Sequence, residues 1–234
     1  MKRILLFTTA AAALAFSLLP IAPATAAPAT LQVLSPVLLK MEQAGRNLKT
    51  LRAGISRLKR DTTLGATDKA SGTLYYKAGS EGTERVLIED TEPMRQIMAV
   101  VGDKVTIYQP RINQAFVTTR KAAAGKNRAL AFLGIGYGQA GAQLRDKYDV
   151  TVVGPDTVAG RETTLLALKP KQQDGPVMGL QVWVDNTTWL PVQYVIGEKG
   201  ARTTVTLSSM QPNVKLDDNK FEVSLPKGTQ IVEG

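Results

Sequence analysis

Gly136, Gly138 and Gly141, within the stretch FLGIGYGQAG at residues 132–141, have the spacing of a glycine loop that cradles a dinucleotide's phosphates. That chemistry needs the loop to follow an apolar strand and to open a helix in a parallel unit, with an acidic residue about 20 positions further on. The segment in front of it is instead rich in Ala, Arg and Lys, and the runs on either side read as hairpins. What the stretch does contain is a compact apolar group, Leu130, Phe132, Leu133, Ile135 and Tyr137. It is bracketed by Arg120, Lys121, Lys126 and Arg128 before it and by Arg145 and Lys147 after it. Gly134, Gly136 and Gly138 each weaken a helix by about 1 kcal/mol relative to alanine. Two readings stay open: a core helix packed closely at its glycines, which periodicity favours, or a loose apolar cover that can move.

Other chemistry is narrowed by what the chain lacks. With no histidine and no cysteine, it cannot assemble an imidazole-based triad or a zinc site of His and Cys ligands, and no disulfide can form. Carboxylates remain, but Asp68, Asp103, Asp156, Asp174, Asp185, Asp217 and Asp218 sit in turn-like settings, where a solvated side chain is expected. No catalytic constellation emerges and no cofactor is expected.

The elements that would position these residues begin with a helix over 36–51. Leu34, Leu38, Met41, Gly45, Leu48 and Leu51 form its apolar stripe, and Ser35-Pro36 provides its start. Six short β-type runs follow between Ala53 and Thr119, and five more between Tyr148 and Met210, with a tail in FEVSLP and TQIVEG. Short Gly-, Asp- and Asn-rich connections favour antiparallel neighbours. The fold class expected is α+β: a large, curved antiparallel sheet or open barrel of roughly ten or eleven strands. Leu180, Val182 and Val184 share one face of their strand, and Leu190, Val192, Tyr194 and Ile196 line up in the next. Helix 36–51 is available to cover that apolar side.

The first residues carry a different message. Lys2-Arg3, an apolar run from Ile4 to Leu19 and the small residues Ala24-Thr25-Ala26 make a secretory signal peptide over 1–26, with cleavage expected after Ala26. Residues 27–234 are then expected to form one exported domain. Losing Lys2 and Arg3 lowers the formal net charge from +9 to +7. That balance suits either anionic lipid head groups or simple solubility. Lys and Arg are spread along the chain, and no nucleic-acid-binding module is recognised, so no nucleic-acid partner is expected.

Across residues 35–232 the chain resembles the LolA-like family of periplasmic lipoprotein carriers and outer-membrane lipoprotein-sorting proteins. The resemblance lies in LKTLRAGISRLKRD, in GTLYYKAGSEGTERVLIED, in residues 130–153, in LQVWVDNTTWLPVQYVI and in the Phe-Pro-Gly ending LDDNKFEVSLPKGTQIV. It implies an incomplete, half-open antiparallel barrel covered by helices, enclosing an apolar cavity for acyl chains of a lipoprotein or lipid cargo. It also implies an inner-membrane releasing complex, an outer-membrane acceptor, a monomeric carrier and no enzymatic activity. The expected lining is Leu130, Phe132, Leu133, Ile135 and Tyr137 from a lid and Leu180, Val182, Val184, Tyr194 and Ile196 from the sheet. Lys126 and Arg128 would meet a head group or an acidic partner. One departure is visible: the family's Arg-Pro-Asn segment, whose arginine couples lid opening to transfer, is replaced by Lys77-Ala78-Gly79. The competing expectation is a periplasmic lipid-sensing or regulatory module that resembles the N-terminal domain of RseB.

Overall fold

A computed structural model describes residues 29–79, 83–126, 141–172 and 177–234. These residues build one twelve-stranded sheet. In chain order the first half of its strands is β1 (Thr50–Asp61), β2 (Thr67–Lys77), β3 (Arg85–Glu92), β4 (Gln96–Val101), β5 (Lys104–Gln109) and β6 (Gln114–Thr119). After helices α2 (Arg120–Lys126) and α3 (Gly141–Lys147) come β7 (Tyr148–Val158), β8 (Arg161–Pro170), β9 (Val177–Asp185), β10 (Pro191–Glu198), β11 (Ala201–Pro212) and β12 (Gln230–Glu233).

The spatial order is β12-β6-β5-β4-β3-β2-β1-β11-β10-β9-β8-β7, so two meanders meet where β1 pairs with β11 and the sheet stays open between β12 and β7. All neighbours are antiparallel except β12, which lies parallel to β6. A parallel partner needs a long return, and residues 213–229 supply it. Of the two expected tail runs only the second forms a strand. Phe221 closes a 3-10 turn, Asp218–Phe221, and the residues after it run on without pairing.

Helix α1 spans Ala29–Asn47, not 36–51. Pro36 lies inside it, and its C-terminal end comes earlier than the apolar spacing suggests because Thr50 and Leu51 already pair with β2. A spacing of three joins Leu48 to Leu51 whether the chain is helical or has turned into a strand, so the stripe alone cannot mark this boundary. Val37, Leu38 and Met41 of α1 pack on one face of the sheet with Leu48, Leu51, Ile55, Leu74, Ile88, Leu166, Tyr194 and Val205 in a single cluster. Ala123 of α2 and Leu144 of α3 join the same cluster. This helix-covered face holds the main core.

The opposite face carries two smaller clusters. Trp183 packs with Val158, Val192 and Val195. Val192 therefore does not share a face with Leu190, Tyr194 and Ile196 as the alternation suggests. A register shift between Pro191 and Gln193 turns it over. The other cluster is Leu87, Ala99 and Phe221, where the C-terminal segment crosses β3 and β4.

A second register shift, between Ser71 and Gly72, brings β2 close to β3. A Cβ on Gly72 would stand 2.0 Å from the Glu89 carbonyl oxygen and 2.7 Å from the Asp90 Cα, so only glycine fits. Gly72→Ala is expected to lose about 1–3 kcal/mol in urea unfolding, as backbone has to move. Gly179→Ala, whose Cβ would meet only the Leu168 carbonyl oxygen at 3.6 Å, is expected to stay within about 1 kcal/mol of the parent. Equal losses in the two variants would refute the close approach.

Candidate functional site

The helix-covered face gathers most of the buried apolar side chains among the described residues. Its side chains follow strand alternation. Leu180 and Val182 of β9 stand opposite Ile196 and Tyr194 of β10, and Tyr194 stands opposite Val205 of β11. Leu180, Val182, Val184, Tyr194 and Ile196 are brought together here, each 2% exposed or less. Leu130, Phe132, Leu133, Ile135, Tyr137 and Arg128 lie outside the described residues. Lys126 ends α2, and its side chain also falls outside the description.

Arg120, one of the basic residues ahead of that stretch, is engaged within the fold. Its guanidinium pairs with the Glu84 carboxylate and donates to the carbonyls of Glu84, at 3.2 Å, and Gly102. Lys77, at the end of β2, points to the opposite face. It donates to the Leu216 carbonyl at 3.2 Å and pairs with Asp218. Hydrogen bonds from Lys77, then Arg85, hold the Asp218 carboxyl below the usual carboxylate range.

Toward one end of the covered face the apolar rows give way to polar ones. Val86, Ile88, Met98, Val105 and Ile107 lie on this face. One step further along the strands the aligned residues are Asp90, Gln96, Gln109, Gln114 and Gln230, running from β3 across to β12. Gln109 Nε2 donates to Gln96 Oε1 at 3.3 Å, and Gln114 Nε2 to Gln230 Oε1 at 3.2 Å. Across β2, Arg57 donates to Asp90 Oδ2. The Arg57 and Asp90 side chains are 15% and 5% exposed.

Asp90 Oδ1 is buried with no hydrogen-bond partner. Burial pushes the Asp90 carboxyl up from its ordinary range, and the Arg57 charge and hydrogen bond only partly oppose it. On the same face, burial and then the charge of Glu84 push the Tyr76 phenol up to about 12. A pocket of about 370 Å³ opens beside the ion pair, lined by Arg57, Asp90, Glu92, Arg95, Gln109 and Arg111 among others.

Sequence reasoning missed this pair. The signal was there in the alternation: Leu51, Ala53 and Ile55 put Arg57 next on the covered face, and Val86 and Ile88 put Asp90 there. A charge at a core-face position of each of two strands is the mark of such a pair. Asp185 also departs from expectation. It does sit in a turn, accepting from the Thr187 and Thr188 backbone N–H groups at 2.9 and 2.8 Å, but it is 4% exposed and paired with Arg161. Among the described residues no group of three or more acidic side chains is placed to hold a metal ion, and no helix is long and apolar enough to cross a membrane.

Comparison with known proteins adds an independent line. The profile of the family described as "Outer membrane lipoprotein carrier protein LolA" matches residues 46–224. An outer-membrane lipoprotein carrier protein of Pseudomonas entomophila is 22% identical over 195 residues, covering 83% of this chain and 86% of that protein. A protein of the same description from Chromohalobacter salexigens is 24% identical over 140 residues, 60% of this chain and 61% of that protein. In structure the chain is similar to an uncharacterized conserved protein from Thermus thermophilus, with a TM-score of 0.56 and 12% identity over 87% of this chain and 100% of that one. It is also similar to MucB, with a TM-score of 0.52 and 19% identity over 82% of this chain and 63% of that one. At these identities the structural likeness speaks for the fold alone.

Proposed function

We propose a function from one premise: this chain belongs to the LolA family of outer membrane lipoprotein carrier proteins, whose profile spans residues 46–224. The protein is a periplasmic carrier. It is exported by residues 1–26, cleaved after Ala26, and works as a single domain over 27–234. Acyl chains of a lipoprotein or lipid lie between the covered face and the helices over it and are ferried toward the outer membrane. The chains contact Leu180, Val182, Val184, Tyr194 and Ile196 on the sheet. Leu130, Phe132, Leu133, Ile135 and Tyr137 close over them, with Lys126 and Arg128 available to a head group or an acidic partner.

The observation that carries this reading is the composition of the covered face. Side chains from β1 to β5 and from β8 to β11 merge with those of α1, α2 and α3 into one apolar cluster. Helices laid on a sheet mainly through apolar contacts can be parted by a ligand that offers the same contacts. Each methylene transferred from water gains about 0.8 kcal/mol, so a chain of about 16 carbons gains on the order of 12 kcal/mol before ordering and displacement are subtracted. That gain is large enough to exchange helix contacts for acyl contacts, and to require assisted release.

Purification from the native periplasm, followed by organic extraction and mass spectrometry, is expected to return acylated species in near-stoichiometric amount. Protein that is free of acyl species when isolated, and takes up none on incubation with membrane lipid, would refute the carrier reading.

A further inference from the structure

The pocket at the polar end of the covered face has a composition of its own, and we propose that it binds the head group of an amphiphile bearing both a phosphate and a primary ammonium, as in phosphoethanolamine. This rests on the carrier reading and names the chemistry of the cargo's polar end.

Three features of the pocket select such a group. Asp90 Oδ1 is buried and unpartnered while Oδ2 is taken by Arg57, so the carboxylate has one acceptor left to offer an N–H donor. Arg95 and Arg111 line the same pocket, and among the described residues neither forms an ion pair; the Arg111 side chain meets the Met94 sulfur at 3.4 Å. With Arg57 and the acidic Asp90 and Glu92, the pocket carries a surplus of positive charge. A lone ammonium is repelled by that surplus, and a lone anion leaves Asp90 unsatisfied. A phosphate facing the arginines with an ammonium reaching Asp90 answers both, through charge-assisted hydrogen bonds.

The pocket is large enough for such a head group, at the lower end of the size of small-ligand sites, which is about 300–1,000 Å³. Its rim holds the exposed apolar side chains of Met94 and Ile112, at 56% and 59% exposure. The adjoining row of the sheet is Ile88, Met98 and Ile107, so a chain attached to the head group passes directly onto the apolar face. An acylated protein N-terminus supplies no phosphate for Arg95 and Arg111, which is why a phospholipid is the source favoured.

The test uses delipidated mature protein and calorimetric titration with three probes of equal chain length below their micelle concentrations: lysophosphatidylethanolamine, lysophosphatidylcholine and an alkyl maltoside. The ethanolamine lipid is expected to bind about tenfold more tightly than the choline lipid, whose quaternary nitrogen has no N–H to give Asp90. Asp90→Asn is expected to shrink that difference to within about twofold. Arg95→Gln/Arg111→Gln, at surface positions that leave the fold intact, is expected to weaken both phospholipids about tenfold and the maltoside not at all. Equal binding of the two phospholipids by the parent protein, or of all three probes, overturns the head-group site and leaves acyl binding standing. Binding of none of them overturns the carrier reading and this inference together.

Discussion

Arg57→Leu is expected to lower stability by about 3–5 kcal/mol at pH 7, because it strands a carboxylate that is 5% exposed. An exposed ion pair is worth about 1 kcal/mol or less, so a loss of that smaller size would mean that water reaches Asp90 freely. The sign of the pH dependence follows from the direction of the Asp90 shift. Burial raises its carboxyl above the ordinary 3.8 while Arg57 pulls the other way, and removing Arg57 leaves burial unopposed. A folded-state value above the unfolded one means that the folded protein holds its proton longer. The full stability of Arg57→Leu is therefore present below about pH 4 and is lost as pH rises through the folded-state value.

Urea unfolding of parent and variant at pH 4 and pH 7 is expected to show a much smaller gap at pH 4. Arg57→Leu/Asp90→Leu, which removes both charges and keeps apolar volume, is expected to recover most of the loss at pH 7. A gap of equal size at both pH values, or no recovery in the double variant, would show that Arg57 acts through packing and not through its charge.

The same pair explains why part of this protein could be read from its sequence and part could not. The strands are legible because their alternation is local: Leu180, Val182 and Val184 announce a buried face within five residues, and the structure puts all three in the main cluster. Turn residues are equally local, as where Gly102 and Asp103 join β4 to β5, with Gly102 at φ 59°. A pairing between β1 and β3 is not local. Arg57 and Asp90 stand 33 positions apart, and neither run states which other strand completes it.

Boundaries fail for a different reason. Leu48 and Leu51 satisfy a helical spacing, yet the hydrogen bonds that decide the matter come from β2 and from the chain near Asn213, which accepts from Lys49 N at 2.8 Å. Val192 shows the same limit within a strand, since the register shift between Pro191 and Gln193 turns it to the other face while Leu190, Tyr194 and Ile196 stay with the main core. Lys77 is a third case, since its charge is plain in the sequence and its partner is not. Lys77 turns to Asp218, 141 residues away, because the C-terminal segment passes over that edge of β2.

That C-terminal segment is held chiefly by one side chain, and Phe221→Ala is expected to lose about 3–5 kcal/mol in urea or thermal unfolding. Phe221 is 1% exposed and packs on Leu87 and Ala99 from the face opposite the main core, with Tyr75, Ile97, Leu216 and Val223 around it. The polar ties of the same segment are more conspicuous but weaker. Lys220 Nζ meets Glu89 Oε2 at 2.9 Å and lies 4.2 Å from the centre of the Tyr75 ring, yet both partners of the ion pair are 33% exposed and screened by water. Lys220→Ala is accordingly expected to lose about 1 kcal/mol or less. Beyond the segment, β12 pairs with β6 through Gln230 N, which donates to the Asn113 carbonyl at 2.9 Å, and through the Asn113 side chain, which donates to the Gly228 carbonyl at 3.1 Å. Hydrogen exchange in Phe221→Ala is therefore expected to quicken first in residues 216–233, ahead of β9 and β10. Because Phe221 sits on the far side of the sheet from the candidate cavity, the variant is expected to keep the parent's order of preference among amphiphiles while losing stability. If Lys220→Ala proves as damaging as Phe221→Ala, the segment is held by its charges; if amphiphile preference changes with Phe221, the two faces are coupled through the sheet.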